Sequence, residues 1–335
     1  MTNARTLHDG AIVIDMTCPL ALQTKYVDWY REGGATAIAP TIIGASGNAR
    51  SGFTAIGGWQ RYARERDDTI IVTRASDITS AQAEGKLGLI LHCQGSALIE
   101  DEIDLVDAYH AAGLRVVQLT YNRKNLVGDG ASERTDAGLS YFGVRLIERL
   151  NTLGLLVDCA HTGERTSLDA VEASSAPVII SHANARGVHD SRRNVSDELI
   201  RAIAASGGVI GTVGFPPLLV WEGQPTLDTF IDDMAYKADL VGIDHIGLGI
   251  DYYLGQHPVE DDQSARIRYD NLVRAGLWRP DEYPPPPYKF PVGIETPKTL
   301  PNLTVRLLER GFGEDDVRKI LGGNWMRTFL EVWGD

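Results

Sequence analysis

The sequence contains little cysteine, no long hydrophobic run and no excess of basic residues. Its 335 residues include three cysteines (Cys18, Cys93 and Cys159) and no CxxC pair. Such a sparse, odd set argues against a disulfide framework and a structural zinc site. No stretch approaches the roughly 18–20 apolar residues of a membrane span. The apolar run in "MTNARTLHDGAIVIDM" is too short for a signal peptide, so we expect a cytoplasmic protein.

The charge balance is acidic. Lysine and arginine number 32 against 45 aspartates and glutamates, which gives a formal net charge of −13. Nucleic acids and anionic membranes require basic stripes, so both are excluded as expected partners. With 43% hydrophobic residues the chain has an ordinary globular composition, and at this length it can bury most of its unfolded surface. A small-molecule substrate is the partner that remains.

Eight short apolar runs rich in β-branched residues recur along the chain, most of them followed by segments with a helical pattern. Continuous apolar runs of this length are typical of strands covered on both faces. Eight strands that alternate with helices predict an α/β fold, a (β/α)8 TIM-type barrel, rather than an open sheet. The predicted strands are 11–17, 35–42, 87–94, 114–121, 154–161, 176–183, 207–214 and 244–252.

The helical segments include "DLVDAYHAAG", "YFGVRLIERLNTLG", "RTSLDAVEASS" and "SDELIRAIAASGG". In the last of these, Ser196 is a plausible N-cap with acidic residues in the first turn. There is no internal repeat and no linker that would separate two units. We therefore expect a single barrel domain over residues 1–335.

Residues 253–300 interrupt the alternation of strands and helices. The segment is long and rich in proline and aromatic residues, as in "GLWRPDEYPPPPYKFPVGIETP", with Trp278, Tyr283 and Tyr288. Four consecutive prolines exclude a helix or a central strand at that point. Because the insertion follows the eighth strand, it lies over the face that carries barrel active sites. It is either a lid or a subunit contact.

Polar side chains recur where the predicted strands end, and in a barrel these ends converge on one pocket. Two imidazoles with a nearby carboxylate form a common catalytic zinc arrangement that leaves positions open for water and substrate. Strand alternation places His92 on the same face as Gln94, so it is a further ligand candidate, or else a packed interior histidine. The residues at the strand ends are His92, Gln94, Tyr121, His161, His182 and Asp251.

Other polar residues follow the same strands. The arginines of "SRRN" (191–194), after the sixth strand, could hold a substrate carboxylate through paired hydrogen bonds, or could be an ordinary surface pair. Tyr252, beside Asp251 in "GIDYYLG", either lines the pocket or packs the top of the barrel. Asn122, next to Tyr121, is a further candidate substrate-binding residue.

Three stretches together resemble one family. "GLSYFGVRLIERLNTLGLLVDCAH", "APVIISHANARGVHDSRRNVSDELIRAIAASGGVI" and "KILGGNWMRTFLEVW" are similar to the membrane (renal) dipeptidases, the M19 peptidases of the amidohydrolase superfamily. The resemblance runs through nearly the whole chain and is strongest from about 138 to 213. It implies a (β/α)8 barrel, commonly dimeric, that hydrolyses dipeptides with two zinc ions bridged by a glutamate.

The resemblance also implies roles for particular residues. His161 and His182 correspond to the two histidines that bind the second zinc. Arg193 corresponds to the arginine that holds the substrate carboxylate. Asp251 corresponds to the aspartate that binds the first zinc and shuttles the proton.

The rest of the family pattern has changed. Where the family has His-x-Asp at the end of strand one, this chain reads "DMTCP", so Thr17 and Pro19 replace both ligands. Gln94 stands for the bridging glutamate, and Tyr121 stands for the histidine that helps polarise the substrate carbonyl. The loss of one aspartate and one glutamate removes two negative charges, which equals the charge of one divalent metal. Two metal ions in the changed site would therefore leave a costly surplus of positive charge. We therefore expect one divalent ion, zinc, with ligands among His161, His182, Gln94, His92 and Asp251.

Three functions are compatible with this pattern. The first is a metal-dependent hydrolase of an amide, lactam or related C–N bond in a small carboxylate-bearing substrate. In it Asp251 is the proton shuttle, Tyr121 the donor to the developing oxyanion, and Arg193 the carboxylate anchor. The second is a metal-dependent lyase, decarboxylase or isomerase, and the third a non-catalytic binding protein. Ordinary dipeptidase activity is disfavoured because the ligands of the bridged pair are missing, and a homodimer or higher homo-oligomer is expected.

Overall fold

The computed structural model describes residues 4–44 and 46–335. Twelve strands lie within these residues, namely β1 Ile14–Cys18, β2 Ala37–Ile43, β3 Thr69–Ile71, β4 Leu87–Leu89, β5 Leu91–Cys93, β6 Leu114–Gln118, β7 Leu156–Asp158, β8 Val178–Ile179, β9 Ile210–Thr212, β10 Ile246–Leu248, β11 Gln256–His257 and β12 Tyr288–Lys289. All eight predicted strands are present, each shorter than its apolar run. The third is divided into β4 and β5 at Ile90.

Thirteen α-helices lie within the same described residues. They are α1 Ala4–Gly10, α2 Val27–Glu32, α3 Ala49–Arg64, α4 Ala75–Glu84, α5 Leu105–Ala111, α6 Tyr141–Leu153, α7 Glu164–Ala173, α8 Asp197–Ala205, α9 Leu227–Val241, α10 Asp262–Arg274, α11 Pro301–Glu309, α12 Glu314–Arg318 and α13 Asn324–Trp333. The predicted N-cap of α8 is confirmed, because the Ser196 side chain accepts a hydrogen bond from the Leu199 amide.

The strands form a parallel barrel with eight strand positions, which we call staves. Each stave lies beside the stave that follows it in the chain. The order is β8-β7-β6-β5-β2-β1-β10-β9, and β4 continues the β5 stave against β2. Closure between β8 and β9 is made by a parallel bridge between Ile180 and Ile210 and by the Gly211 amide, which donates to the Ile180 carbonyl at 2.8 Å. β3 pairs with β4 outside this ring. The predicted (β/α)8 barrel is confirmed.

The barrel interior has an apolar layer beneath a polar one. One buried cluster takes alternate residues from the staves, among them Ile90, Leu156 and Ile179, together with Trp325 of α13. Two positions further along the same staves lie polar residues, which alternation places on the same face. These are His92, Asp158 and Ser181, all fully buried. Polar groups therefore begin inside the barrel, below its mouth.

The insertion after β10 contains more regular structure than its composition predicts. β11 and β12 pair in parallel, and α10 is capped by Asp261, whose side chain accepts a hydrogen bond from the Ser264 amide. The proline run 284–287 lies outside these elements, as predicted. The insertion supplies one wall of the cavity described below.

None of the described helices is long and apolar enough to cross a membrane. The three cysteines are buried and free, as their number and spacing predict. The single-domain organisation and the oligomeric state stay predictions.

Candidate active site

The strand ends open into a cavity of about 270 Å³. Its wall combines polar residues from the barrel with apolar and aromatic residues from the loop after β9 and from the insertion. Five of the residues predicted at this site lie in the wall, namely Gln94, Tyr121, His161, Arg193 and Asp251. A second, more polar cavity of about 420 Å³ shares His161 and Arg193 with the first.

His161 follows β7 and is oriented by Asn122. Its Nδ1 lies 2.7 Å from Asn122 Oδ1, while the Asn122 amide nitrogen donates to the Leu277 carbonyl. The amide group is thereby fixed with its oxygen towards the ring, so Nδ1 carries the proton and Nε2 keeps its lone pair. The Tyr121 ring stacks on the imidazole with centroids 4.1 Å apart.

His182, two residues beyond the Ile180 bridge, is oriented from below. Its Nδ1 lies 2.8 Å from Ser181 Oγ and 3.0 Å from Thr17 Oγ1. Ser181 Oγ donates its own proton to Asp158 at 2.6 Å, so it can only accept from the ring. Nδ1 is therefore protonated, and Nε2 is a buried lone pair with no hydrogen-bond partner among the described residues.

The Asp158 carboxylate also binds His92. His92 Nε2 lies 3.1 Å from Asp158 Oδ2, and both side chains are fully buried. Burial alone would raise the pKa of Asp158, but the hydrogen bonds from His92 and Ser181 hold it below its ordinary value. His92 is not part of the cavity wall. The structure packs His92 inside the barrel, and its role as a metal ligand stays a prediction.

Both site histidines are neutral. Burial lowers the pKa of His161 and of His182 well below the usual value, and the nearby Arg193 guanidinium lowers both further. The two rings lie with centroids 4.9 Å apart. Two neutral imidazoles, each with its Nδ1–H fixed by an acceptor, are the form in which histidine binds a metal through Nε2.

The backbone at the site is strained at three functional positions. Asn122, His161 and Asp251 have φ values of 59°, 60° and 63°, in the left-handed region that side chains other than glycine rarely adopt. The loops that hold them are tied together, since the Asn122 amide donates to the His161 carbonyl and the Asp251 amide to the Thr17 carbonyl. A Cβ at Gly130 would lie 2.3 Å from the Asn122 backbone, so this close approach requires glycine.

Asp251 and Asp15 are two carboxylates in poorly solvated surroundings. Burial raises the pKa of Asp251 well above its ordinary value, Arg193 opposes the shift, and Asp15 adds to it. Burial likewise raises the pKa of Asp15, to about 7. The sequence gives no sign of Asp15 as a site residue, because it lies within the apolar run of β1.

Arg193 is the cation of the site. It is buried, and its Nε and Nη2 have no hydrogen-bond partner among the described residues. Its neighbour Arg192 is exposed and lies 3.8 Å from Glu282. A buried guanidinium is stable only with an anion close by, so Arg193 is the member of the pair that can hold a substrate carboxylate.

Tyr121 has its hydroxyl proton free for a ligand. Trp278 Nε1 donates to Tyr121 Oη at 3.2 Å, which occupies an acceptor position and leaves the O–H as a donor. Burial raises the pKa of Tyr121, so the phenol stays protonated. A neutral hydrogen-bond donor at the cavity wall is what a developing oxyanion requires.

Two predicted substrate-binding residues need correction. Tyr252 is fully buried, stacks on Phe290 and donates to the Ile294 carbonyl, so it packs the barrel top while Tyr253 lines the cavity. Asn122 is buried and holds the His161 ring instead of facing the cavity. Neither role follows from sequence position, because both depend on partners more than 30 residues away.

Two histidines of the site are oriented as metal ligands. Among residues 4–44 and 46–335, no three side chains of histidine, cysteine, aspartate or glutamate are arranged to hold a metal ion together. The two oriented imidazoles and the unpartnered Nε2 of His182 nevertheless fit a metal such as zinc. Gln94 offers a neutral oxygen donor in the same wall, and Asp251 as a ligand stays a prediction.

Comparisons with known proteins give one consistent family. The family model described as membrane dipeptidase (peptidase family M19) matches residues 53–279 and 287–333. Dipeptidase tcpJ of Claviceps purpurea (strain 20.1) is 26% identical over 263 residues, which are 77% of this chain and 54% of that protein. Dipeptidase 3 of Rattus norvegicus is 26% identical over 268 residues, 78% of this chain and 48% of that protein. The chain thus spans about half the length of either dipeptidase.

Two solved structures extend the comparison to the fold. An amidohydrolase from Pseudomonas aeruginosa is 32% identical, has a TM-score of 0.87, and is matched over 99% of this chain and 100% of its own. A metallopeptidase from Rhodobacter sphaeroides, solved with a phosphinate mimic of the dipeptide L-Ala-D-Ala, has a TM-score of 0.79 at 20% identity over 96% of this chain and 100% of its own. That second likeness shows the fold alone. Because the family model covers most of its residues, the chain belongs to the membrane dipeptidase family, peptidase family M19.

Proposed function

We propose that this protein is a metal-dependent hydrolase that cleaves an amide, lactam or related C–N bond in a small carboxylate-bearing substrate, with a single zinc ion. The observation that carries the proposal is the orientation of His182. Its Nδ1–H is fixed by Ser181 and Thr17, and its Nε2 is a buried lone pair that no described residue contacts through a hydrogen bond. A buried acceptor left unsatisfied costs about 1–3 kcal/mol, which a bound cation would remove.

Thr17 supports one ion rather than two. By family resemblance Thr17 replaces a ligand of the first zinc, and its hydroxyl lies 3.0 Å from Nδ1 of His182. Thr17, in place of a lost ligand of the first zinc, thus orients His182, a retained ligand of the second. Gln94 stands in place of the bridging glutamate, so the changes at Thr17 and Gln94 together leave ligands for one ion.

The chain's own residues account for the other steps. The ion, when bound, supplies a Lewis acid that polarises a water or the scissile carbonyl. Arg193 holds the substrate carboxylate, Tyr121 donates a hydrogen bond to the carbonyl oxygen as charge develops, and Asp251 takes a proton from the attacking water and passes it to the leaving nitrogen. The C–N bond breaks and the water oxygen remains on the acyl carbon.

Metal content and isotope incorporation test this proposal together. Protein purified without added metal and then titrated with zinc should bind one equivalent, and turnover in H2¹⁸O should place ¹⁸O in the carboxylate product. His182→Ala should lose the metal, whereas His110→Ala, on the outer helix α5, should keep it. Two equivalents at full activity would refute the single-ion site, and product free of ¹⁸O would indicate a lyase, decarboxylase or isomerase instead.

Variants of Tyr121 and Asp251 test the roles of the oxyanion donor and the proton shuttle. Tyr121→Phe should lower kcat by roughly 10²–10³-fold, as the loss of one oxyanion donor does in other enzymes. Asp251→Asn should abolish turnover while part of the metal binding is kept. Near-normal rates in Asp251→Asn would exclude this residue as the proton shuttle.

A further inference from the structure

The cavity is lined by a few charged residues and by a group of aromatic rings, which we call the aromatic wall. The charged residues that line it are Arg193, Asp251 and Arg268. Arg268 is neutralised, because its Nε and Nη2 bind both oxygens of Glu260 at 3.0 and 2.8 Å. Arg193 is therefore the one cation in the wall that a ligand can reach unpaired, and Asp251 is the one lining carboxylate, within the described part of the chain.

The aromatic wall is built from four rings. Trp278 stacks on Tyr283 with centroids 4.6 Å apart and planes 8° from parallel. Phe215 lies 5.9 Å and Tyr253 5.4 Å from Trp278. Leu272 and Leu277 continue the same apolar surface. Three of these rings come from the insertion, so this wall is a feature of residues 253–300.

The wall is joined directly to the catalytic groups. Trp278 donates to Tyr121 Oη, and Tyr283 Oη exchanges hydrogen bonds with Asn122, which orients His161. A group that packs against these rings therefore lies next to the position of the scissile carbonyl. The acyl portion of a substrate anchored on Arg193 by its carboxylate would reach this wall.

Among the described residues that line the cavity, no carboxylate other than Asp251 could pair with a free α-ammonium group. Asp251 is already committed to proton transfer by the proposed function, and Arg193 would repel a second positive charge. An aromatic cage for a cation needs open ring faces, but the facing surfaces of Trp278 and Tyr283 cover each other. A buried, unpaired ammonium would be costly.

We propose that the preferred substrate is an N-acyl amino acid whose acyl group is uncharged and carries an aromatic or bulky apolar substituent, with the acyl group on the aromatic wall and the carboxylate on Arg193. This inference rests on the proposed function and narrows its substrate class away from dipeptides with a free amino group. In the reaction, water adds its oxygen to the acyl carbon, the amide C–N bond breaks, and the proton goes to the nitrogen. The products are a carboxylic acid and a free amino acid.

Five matched compounds test the inference with the zinc-loaded protein. 3-Phenylpropanoylglycine and phenylalanylglycine (L and D) differ only in the α-amino group, while propanoylglycine and alanylglycine lack the ring. We expect kcat/KM for 3-phenylpropanoylglycine to exceed that for either phenylalanylglycine by at least tenfold, and to exceed that for propanoylglycine. Calorimetric Kd values for the same compounds provide a readout that does not depend on turnover.

A pair of variants on one helix locates the acyl site. Leu272→Ala on α10 should lower kcat/KM for 3-phenylpropanoylglycine three- to tenfold and leave propanoylglycine nearly unchanged. Ile267→Ala, an exposed residue of the same helix outside this cavity, should change neither. Equal effects of Leu272→Ala on both compounds would overturn the assignment of the wall as the acyl site.

The outcomes separate this inference from the proposed function. If phenylalanylglycine is hydrolysed as fast as 3-phenylpropanoylglycine, the inference is wrong and the hydrolase stands. If neither is hydrolysed but 3-phenylpropanoylglycine binds at least tenfold more tightly, the hydrolase is wrong and the binding preference stands. If neither is hydrolysed and both bind equally or not at all, both are overturned.

Discussion

The two hydroxyls that accept from His182 should together control metal affinity. Thr17→Val is nearly isosteric, suits a residue of β1, and removes one acceptor 3.0 Å from Nδ1. Ser181→Ala removes the other, at 2.8 Å, together with its hydrogen bond to Asp158. Each single variant leaves one acceptor in place, and the double variant leaves a buried Nδ1–H with none.

The expected magnitudes follow from this geometry. A net hydrogen bond is worth about 0.5–1.5 kcal/mol, so Thr17→Val should weaken zinc binding roughly two- to tenfold. Loss of all groups that orient a ligating histidine typically costs 10–100-fold. The double variant should therefore lose at least about tenfold and exceed the product of the single effects, because only there is the ring free to rotate or change tautomer.

Zinc Kd values from chelator competition, with thermal unfolding measured in parallel, check this prediction. The chain offers a matched control in Thr304, whose Oγ1 lies 2.7 Å from Nδ1 of His8 in a fully buried pair outside the site. Thr304→Val should lower the melting temperature without changing zinc affinity. The reasoning would be refuted if the double variant bound zinc as tightly as the wild type while its stability fell like that of the control.

Three further predictions concern the cavity and its support. Arg193→Lys should raise KM about tenfold or more in steady-state assays with little change in kcat, because a lysine cannot reproduce a paired guanidinium–carboxylate contact; an unchanged KM would exclude this anchor. Lys237→Met should lower the free energy of unfolding by about 3–5 kcal/mol in denaturant titrations. The reason is that the substitution leaves Asp233, the fully buried partner of Lys237 at 2.7 Å, as an unpaired charge. Wild-type stability of this variant would contradict the prediction. Gly130→Ala should lower zinc affinity, since its Cβ would displace the loop that orients His161. On α3, a Cβ at Gly58 would meet no described atom within 4 Å, so Gly58→Ala should instead stabilise the protein by about 0.5–1 kcal/mol and keep the zinc affinity.

Most of the barrel could be predicted because its strands are buried on both faces. Val178–Ile179, for example, lies in the uninterrupted apolar, β-branched run 178–180, and its type is evident without any partner. Strand ends were less predictable: 176–183 contains only Val178–Ile179 as strand, since the chain then turns to present His182. Helix α10 was missed because its sequence is strongly polar and follows a proline-rich context, although Asp261 is an N-cap signal that could have indicated it.

The site was predictable where a residue's position on a stave is enough, and not where its role depends on neighbours from other staves. His161 faces the cavity because of where its strand ends, whereas Arg193 lies in the loop between β8 and α8 and was indicated by the family resemblance. Asn122, by contrast, became a residue that positions His161 only through the loop that brings position 122 beside position 161. The network below His182 likewise joins residues 17, 158 and 181 from three staves, and no spacing in the chain expresses those contacts.

The charge balance of the site explains why the substitutions at positions 17 and 94 would occur together. Arg193 places one buried positive charge in the cavity, and a divalent ion adds two, against Asp251 and the substrate carboxylate. At an effective dielectric constant of 20, two unit charges 4 Å apart interact by about 4 kcal/mol, so a second dication without its two carboxylates would meet several such repulsions. Random decay should remove ligands of both ions, yet His161 and His182 keep their orienting partners and Thr17 has become one of them. This pattern is the one that the proposed single-ion site requires, and random loss of ligands would not produce it.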